Sequence, residues 1–177
     1  RIWTTLKAVM APGRLDPLTK EMIAVAVSAT NGCTYCVNSH TLAARKLATL
    51  DHLTDGRAAV HMIAGAGLAD QAMDGDFVDH DGRYDRMAEY IDLLNLSWTE
   101  AEPFDFDGAF YRVVASTSKI RCVQSPRIPI FGGGGSPASI AVLAPRVDVF
   151  MLWGEPLKET ADFMERVTKR RGTQGVD

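Results

Sequence analysis

Three short apolar runs, AVHMI at 59–63, IPIF at 128–131 and VDVFMLW at 147–153, are each followed by a helical stretch, and that succession constrains the fold class more than any other feature. Apolar strands that alternate with helices build a parallel sheet with the helices outside it. After the first run, residues 65–81 are rich in Gly and Asp and read as a loop. Asp81 can then cap a long helix in which Tyr84, Met87, Ile91, Leu94 and Trp98 recur with a period near 3.6. PFDFDGAFYRV alternates about Asp107-Gly108, the signature of a tight hairpin. The second run leads into Gly132 to Gly135, with Ser136-Pro137 opening a helix; the third leads into a helix from Pro156 to Arg171 that stops at Gly172.

The glycine run carries chemistry. A strand, a run of glycines and a capped helix start let backbone N–H groups approach a phosphate closely, so Gly134, Gly135 and Ser136 form a candidate phosphate cradle. The competing reading is a flexible turn.

The first forty residues are written differently. Asp16 and Pro17 start a helix with Met22, Ile23, Ala26 and Ala29 at helical spacing, and Asn31-Gly32 ends it. A second helix starts near Cys33 and can continue without a break through Leu42, Leu47 and Leu50 to Leu53, stopping at Asp55-Gly56. On it Cys36 and His40 share a face, and Cys33 sits at the N-terminal end, where unpaired N–H groups favour a thiolate. Attack on a peroxide needs a thiol of lowered pKa with a proton acceptor beside it; His40 can be that acceptor and Glu21 can orient it. Zinc is the weaker reading of C-x2-C, because Cys122 and the other histidines show no ligand spacing.

LDPLTKEMIAVAVSATNGCTYCVNSH resembles the AhpD-like alkyl hydroperoxidase and carboxymuconolactone decarboxylase superfamily, whose E-x11-C-x2-C-x3-H signature is complete here. The resemblance implies Cys36 as peroxidatic thiol, Cys33 as resolving thiol, and His40 with Glu21 as proton relay, acting without a cofactor. ARKLATLDHLTDGR, DGRYDRMAEYIDLL, PFDFDGAFYRV, FGGGGSPASI and LWGEP, in that order, resemble the middle of the bacterial-luciferase-like flavin monooxygenases, nearest the alkanesulfonate monooxygenase type. That second resemblance implies part of an eight-stranded barrel using reduced FMN and oxygen. Tyr84 would touch the flavin, Gly135 with Ser136 would hold its phosphate, and Trp153 and Glu155 would end a strand beside the site. Where that family commonly shows Asn and Thr near the end of the first strand, this chain has His61 and Ala64.

The expected organisation is therefore a chimera: an AhpD-like helical hairpin over 1–43, then a partial luciferase-like (β/α) barrel over 44–177, α/β in class. A full barrel of this kind needs ~250 residues. Three parallel strands leave an inner face uncovered, and Ile23, Val27 and Leu42 are expected to cover part of it. The functional expectation is an FMN-dependent monooxygenase fragment, not competent alone, with a thiol peroxidase and a non-catalytic recombinant or split-barrel fragment as alternatives. The expected partners are a small organosulfur compound or organic hydroperoxide, a flavin reductase and further copies of the chain. A net charge of -3 gives no basic patch for nucleic acid, and no apolar run reaches the ~18 residues of a membrane span. With no charged leader and three cysteines, two of them in C-x2-C, the expected location is the cytoplasm.

Overall fold

The computed structural model describes residues 40–65, 67–73, 75–152 and 154–172. Glu21, Cys33, Cys36, Ile23, Val27 and Trp153 lie outside the described residues, as do the side chains of His40 and Leu42. The expectations attached to them stand as readings of sequence.

Helix α1 (His40–Leu53) buries Ala44, Leu47, Ala48 and Asp51, a stripe at three- and four-residue spacing. It ends because Asp55 (φ 53°) and Gly56 (φ 72°) are left-handed, which turns the Gly56 N–H back onto the Asp51 carbonyl at 2.9 Å. Strands β1 (Val60–Met62), β4 (Ile130–Gly133) and β5 (Val149–Met151) form a parallel sheet in the order β1-β4-β5. Between β1 and β4 run helix α2 (Leu68–Met73), helix α3 (His80–Thr99) and an antiparallel pair, β2 (Phe104–Asp107) and β3 (Arg112–Ser116). Helix α4 (Pro137–Leu143) joins β4 to β5, and α5 (Leu157–Gly172) follows β5. The three strand–helix units of the parallel sheet are those expected from the three apolar runs.

Among the described residues the core lies on one face of the sheet. Val60, Met62 and Ile130 point into it and meet Leu47 and Leu50 of α1, Leu143 of α4 and the predicted stripe of α3, whose Tyr84, Met87, Ile91, Leu94 and Trp98 are all buried. Trp98 Nε1 donates to the Ala44 carbonyl at 3.1 Å, satisfying the buried indole. On the other face, in register, stand His61, Phe131 and Val149, with Gly133 and Met151 one step further along. Val149 and Met151 are 42% and 43% exposed there, so the expected bare inner face is present among the described residues.

Several boundaries differ from the sequence reading, each for a local reason. The cap of α3 is Asp79, not Asp81, because Gly82 N–H donates to Asp79 Oδ1 at 2.8 Å; Asp81 falls in the first turn and pairs with His80. α2 interrupts the segment read as loop. β4 starts at Ile130 rather than Ile128: Pro129 has no N–H, and only its carbonyl joins the ladder, receiving Val60 N–H at 3.0 Å. β5 is shorter than 147–153 because Val147 N–H closes the end of α4 on the Leu143 carbonyl. The hairpin loop spans 108–111 rather than two residues, since the Glu89 carboxylate of α3 accepts the N–H groups of Ala109, Phe110 and Tyr111 at 2.8, 2.9 and 3.1 Å.

Two carboxylates tie distant parts of the chain to this frame. Asp148 accepts Ile130 N–H at 2.7 Å and pairs with Arg127; burial pushes its carboxyl up, but the hydrogen bonds from Arg127 and Ile130 outweigh that and hold it below the usual range. Asp51, with no exposed surface, accepts Val123 N–H, Gln124 N–H and Gln124 Nε2 at 2.8, 3.0 and 2.7 Å, while Gln124 Nε2 also donates to the Ala58 carbonyl. Asp51→Ala strands those donors in the interior and should cost about 2–4 kcal/mol in urea denaturation; a loss under about 1 kcal/mol would show that the segment re-pairs with water.

Candidate functional site at the glycine end of the sheet

In a parallel sheet flanked by helices, the strands' C-terminal ends and the helices' N-termini come to one edge. Here that edge gathers the β1–α3 connection, the glycine loop after β4 and the entry to α5. Ser136 caps α4 with extended backbone (φ −81°, ψ 158°): Ser139 N–H donates to Ser136 Oγ at 3.1 Å, and Ser139 Oγ–H donates to the Ser136 carbonyl at 2.6 Å. Pro137 has no N–H. Among the described residues, no protein acceptor receives the N–H groups of Gly135, Ser136 and Ala138.

Each glycine of the run has a different surrounding. A Cβ on Gly132 would lie 2.9 Å from Val147 Cγ1 and 3.1 Å from Leu143 Cδ2, so its absence lets α4 close onto the sheet. A Cβ on Gly134 would lie 2.5 Å from the Tyr84 hydroxyl and 2.6 Å from Ser139 Cβ. That site is filled by the phenol of α3. A Cβ on Gly135 would meet nothing within 4 Å, so the approach to its backbone is open. Tyr84 is 6% exposed, and the His80 ring stands edge-on to it at 5.2 Å.

The structure therefore brings together Tyr84, Gly134, Gly135 and Ser136. The result is a concentration of donors, three N–H groups with the Ser136 and Tyr84 hydroxyls, and no carboxylate among them. Such a set suits a phosphate monoester. The residues thus fit the phosphate end of a flavin mononucleotide. Glu155 is exposed at the entry to α5, where its backbone carbonyl receives Thr160 Oγ. Ser139 went unnoticed in the sequence; its signal is the Ser-x-x-Ser spacing from the cap.

The β1–α3 connection is pinned to α3 by charge. Asp76 receives Arg86 through both carboxylate oxygens, at 2.5 and 3.2 Å, and Val78 N–H at 3.2 Å. The Arg86 hydrogen bond, against the opposing effect of burial, holds the Asp76 carboxyl below its usual value. Cys122 is free and half-buried, and burial raises its thiol pKa, so it is not a reactive thiolate at neutral pH. Among the described residues no group of three or more His, Cys, Asp or Glu is placed to hold a metal, and no helix is long and apolar enough to cross a membrane.

Two outcomes are expected. Gly134→Ala should destabilise by about 1–3 kcal/mol in thermal or urea unfolding, because phenol and Ser139 occupy the space, whereas Gly135→Ala should leave stability nearly unchanged; equal losses would contradict the packing. Because the Asp76 pKa is lower folded than unfolded, its contribution is complete above the unfolded value of ~3.9 and is lost as pH falls through the folded one. Asp76→Asn should lower stability at pH 7 and flatten its decline in acid; an unchanged acid profile would rule the pair out as a contributor.

The luciferase-like monooxygenase family model matches residues 21–177, a stretch that takes in the thiol motif as well as the strand–helix units. A long-chain alkane monooxygenase has the same fold at 20% identity and a TM-score of 0.72, over 100% of this chain and 46% of that one. EDTA monooxygenase from Chelativorans sp. BNC1 superposes at 17% identity with a TM-score of 0.71, covering 92% of this chain and 45% of that one. A riboflavin lyase, solved with modified FMN and riboflavin, does so at 20% identity with a TM-score of 0.71, over 93% and 42%. The chain spans less than half the length of these three proteins, and its three parallel strands with outer helices are a sector of their barrel type. By the extent of the family match, the chain belongs to the luciferase-like monooxygenases.

Proposed function

We propose that this chain is the phosphate-binding sector of an FMN-dependent monooxygenase, of the alkanesulfonate monooxygenase type by sequence resemblance, and that it binds flavin without turning over substrate alone. The observation that carries this reading is the Tyr84 hydroxyl filling the Cβ site of Gly134 beside the Ser136 cap, with N–H groups that no acceptor among the described residues receives. Gly135, Ser136 and Ala138 would donate to the phosphate through backbone N–H groups, and Ser136 and Tyr84 through their hydroxyls. Bound FMN, once reduced, supplies the electrons that activate dioxygen. The chain's own share is to anchor the phosphate and offer the apolar inner face, Phe131, Val149 and Met151, as a surface for the ring. Strands beyond the described residues would exclude water and hold the substrate, a small organosulfur compound. A flavin reductase supplying the reduced cofactor, and further copies of the chain, complete the proposal.

The intact spacing of Glu21, Cys33, Cys36 and His40 favours a second reading, in which residues 1–43 form a separate thiol peroxidase unit ahead of a barrel piece over 44–177. Hydroperoxide consumption that disappears in Cys36→Ser is its test.

For the first reading the test is equilibrium titration with FMN. Saturable binding is expected, weakened about tenfold or more in Gly135→Pro, which removes a phosphate donor, and less in Ser136→Gly, which a helix cap tolerates at a few tenths of a kcal/mol. No binding at high micromolar FMN would overturn it.

A further inference from the structure

The β2–β3 hairpin stands apart from the core that holds the other elements together. It adds no strand to the parallel sheet, no residue of β2 is fully buried, and β3 buries only Ser116 at its end. None of residues 104–116 belongs to the core cluster under the sheet. The pairing of the two strands shifts register between Phe104 and Phe106, and opposite that shift Ala115 takes a left-handed φ of 49° and gives its N–H to Asp105 Oδ1 at 2.7 Å. A two-stranded hairpin is at best marginally stable in water by itself. This one needs an anchor elsewhere.

Its tip is anchored by a carboxylate of α3. Glu89 Oε1 accepts the Ala109 N–H at 2.8 Å, and Oε2 accepts those of Phe110 and Tyr111 at 2.9 and 3.1 Å. Three successive backbone N–H groups turned onto one anion form a nest, and each bond is charge-assisted. The Gly108 N–H closes the loop on the Tyr111 carbonyl at 2.8 Å. A Cβ on Gly108 would overlap Glu89 Oε2 and crowd Phe106 Cε1, so glycine there is what lets the carboxylate in. Beside it the buried Tyr111 ring lies tilted against Tyr90 of α3, with centroids 6.0 Å apart.

We propose that residues 109–111 are a carboxylate-binding nest that Glu89 fills in cis, and that this latch lets the β2–β3 hairpin open as a unit while the parallel sheet stays folded. Segments held by few buried contacts open at free energies well below that of the whole fold. Here the contacts that hold the sheet, among α1, α3, α4 and the strands, do not run through the hairpin. Without the Glu89 carboxylate, three N–H groups face a space that a small free carboxylate has the shape and charge to occupy. No covalent bond is made or broken, and the latch is independent of the flavin reading.

Hydrogen exchange of the full chain, read by mass spectrometry near neutral pH, tests both parts. Wild type is compared with Gly108→Ala and with Glu89→Ala, the latter alone, with added sodium formate, and with sodium chloride at matched ionic strength. In Glu89→Ala the peptides covering 104–116 are expected to exchange about tenfold or more faster, while those of β1 and β4 stay within about twofold of wild type. Formate, and not chloride, should restore at least about half of the lost protection, because it re-enters the nest. Gly108→Ala keeps the carboxylate but crowds it, and should open the same segment. Equal acceleration in β1 and β4 would show that the hairpin does not open as a unit, and unchanged exchange over 104–116 would show that Glu89 is no latch. Opening that formate relieves no better than chloride would overturn the nest.

Discussion

The distance between α4 and β4 governs the rest of the arrangement, and it is set by an atom that Gly132 lacks. With Val147 Cγ1 2.9 Å and Leu143 Cδ2 3.1 Å from where a Cβ would be, a larger residue would force those side chains to shift. Because α4 sits close, its first turn starts beside the strand end, Ser136 falls at the cap, and Ser139 packs against Gly134. Because α3 is packed on the same core, Tyr84 reaches the same Cβ position of that glycine. The donor set at the sheet edge is a by-product of tight helix–sheet packing, and little separate machinery is needed to hold it.

Among the described residues the same packing covers the sheet on one side. Aliphatic side chains of α1, α3 and α4 close one face of the parallel sheet, while the opposite face keeps Phe131, Val149 and Met151 in view. In a closed barrel such residues fill the interior in layers. The three proteins compared above are more than twice as long as the chain, which is consistent with a sector whose inner surface is finished by other strands.

What was legible in the sequence follows the physics that produced it. The α3 stripe from Tyr84 to Trp98 was readable because one helical face is buried along its whole length, and so were the three strand–helix units, since apolar runs and glycine stops are local signals. The ends of elements were not, because they depend on groups far away in sequence. Glu89 widens the hairpin loop from twenty residues upstream, and Val147 is taken from β5 by the end of α4. The cradle was half legible: the glycine run and Ser136 announced a close backbone approach, but that Gly134 is reserved for a phenol and Gly135 for open space appears only once α3 and β4 are side by side. Asp51 gave no local sign at all, since its partners are more than seventy residues on.

Helix α4 has seven residues, too few to persist by its own hydrogen bonds. Its start is held by Ser136, and its closing carbonyls are held by another helix: Arg170 of α5 donates to the Ala141 carbonyl, and Arg171 to those of Ala144 and Val147 at 2.9 Å each. The last turn of α5 is thereby the terminal clamp of the element that carries the glycine loop. The two helices form one cooperative unit, so fraying at the far end of α5 is transmitted to the donor set as a loss of order, with no residue of α5 needing to touch a ligand.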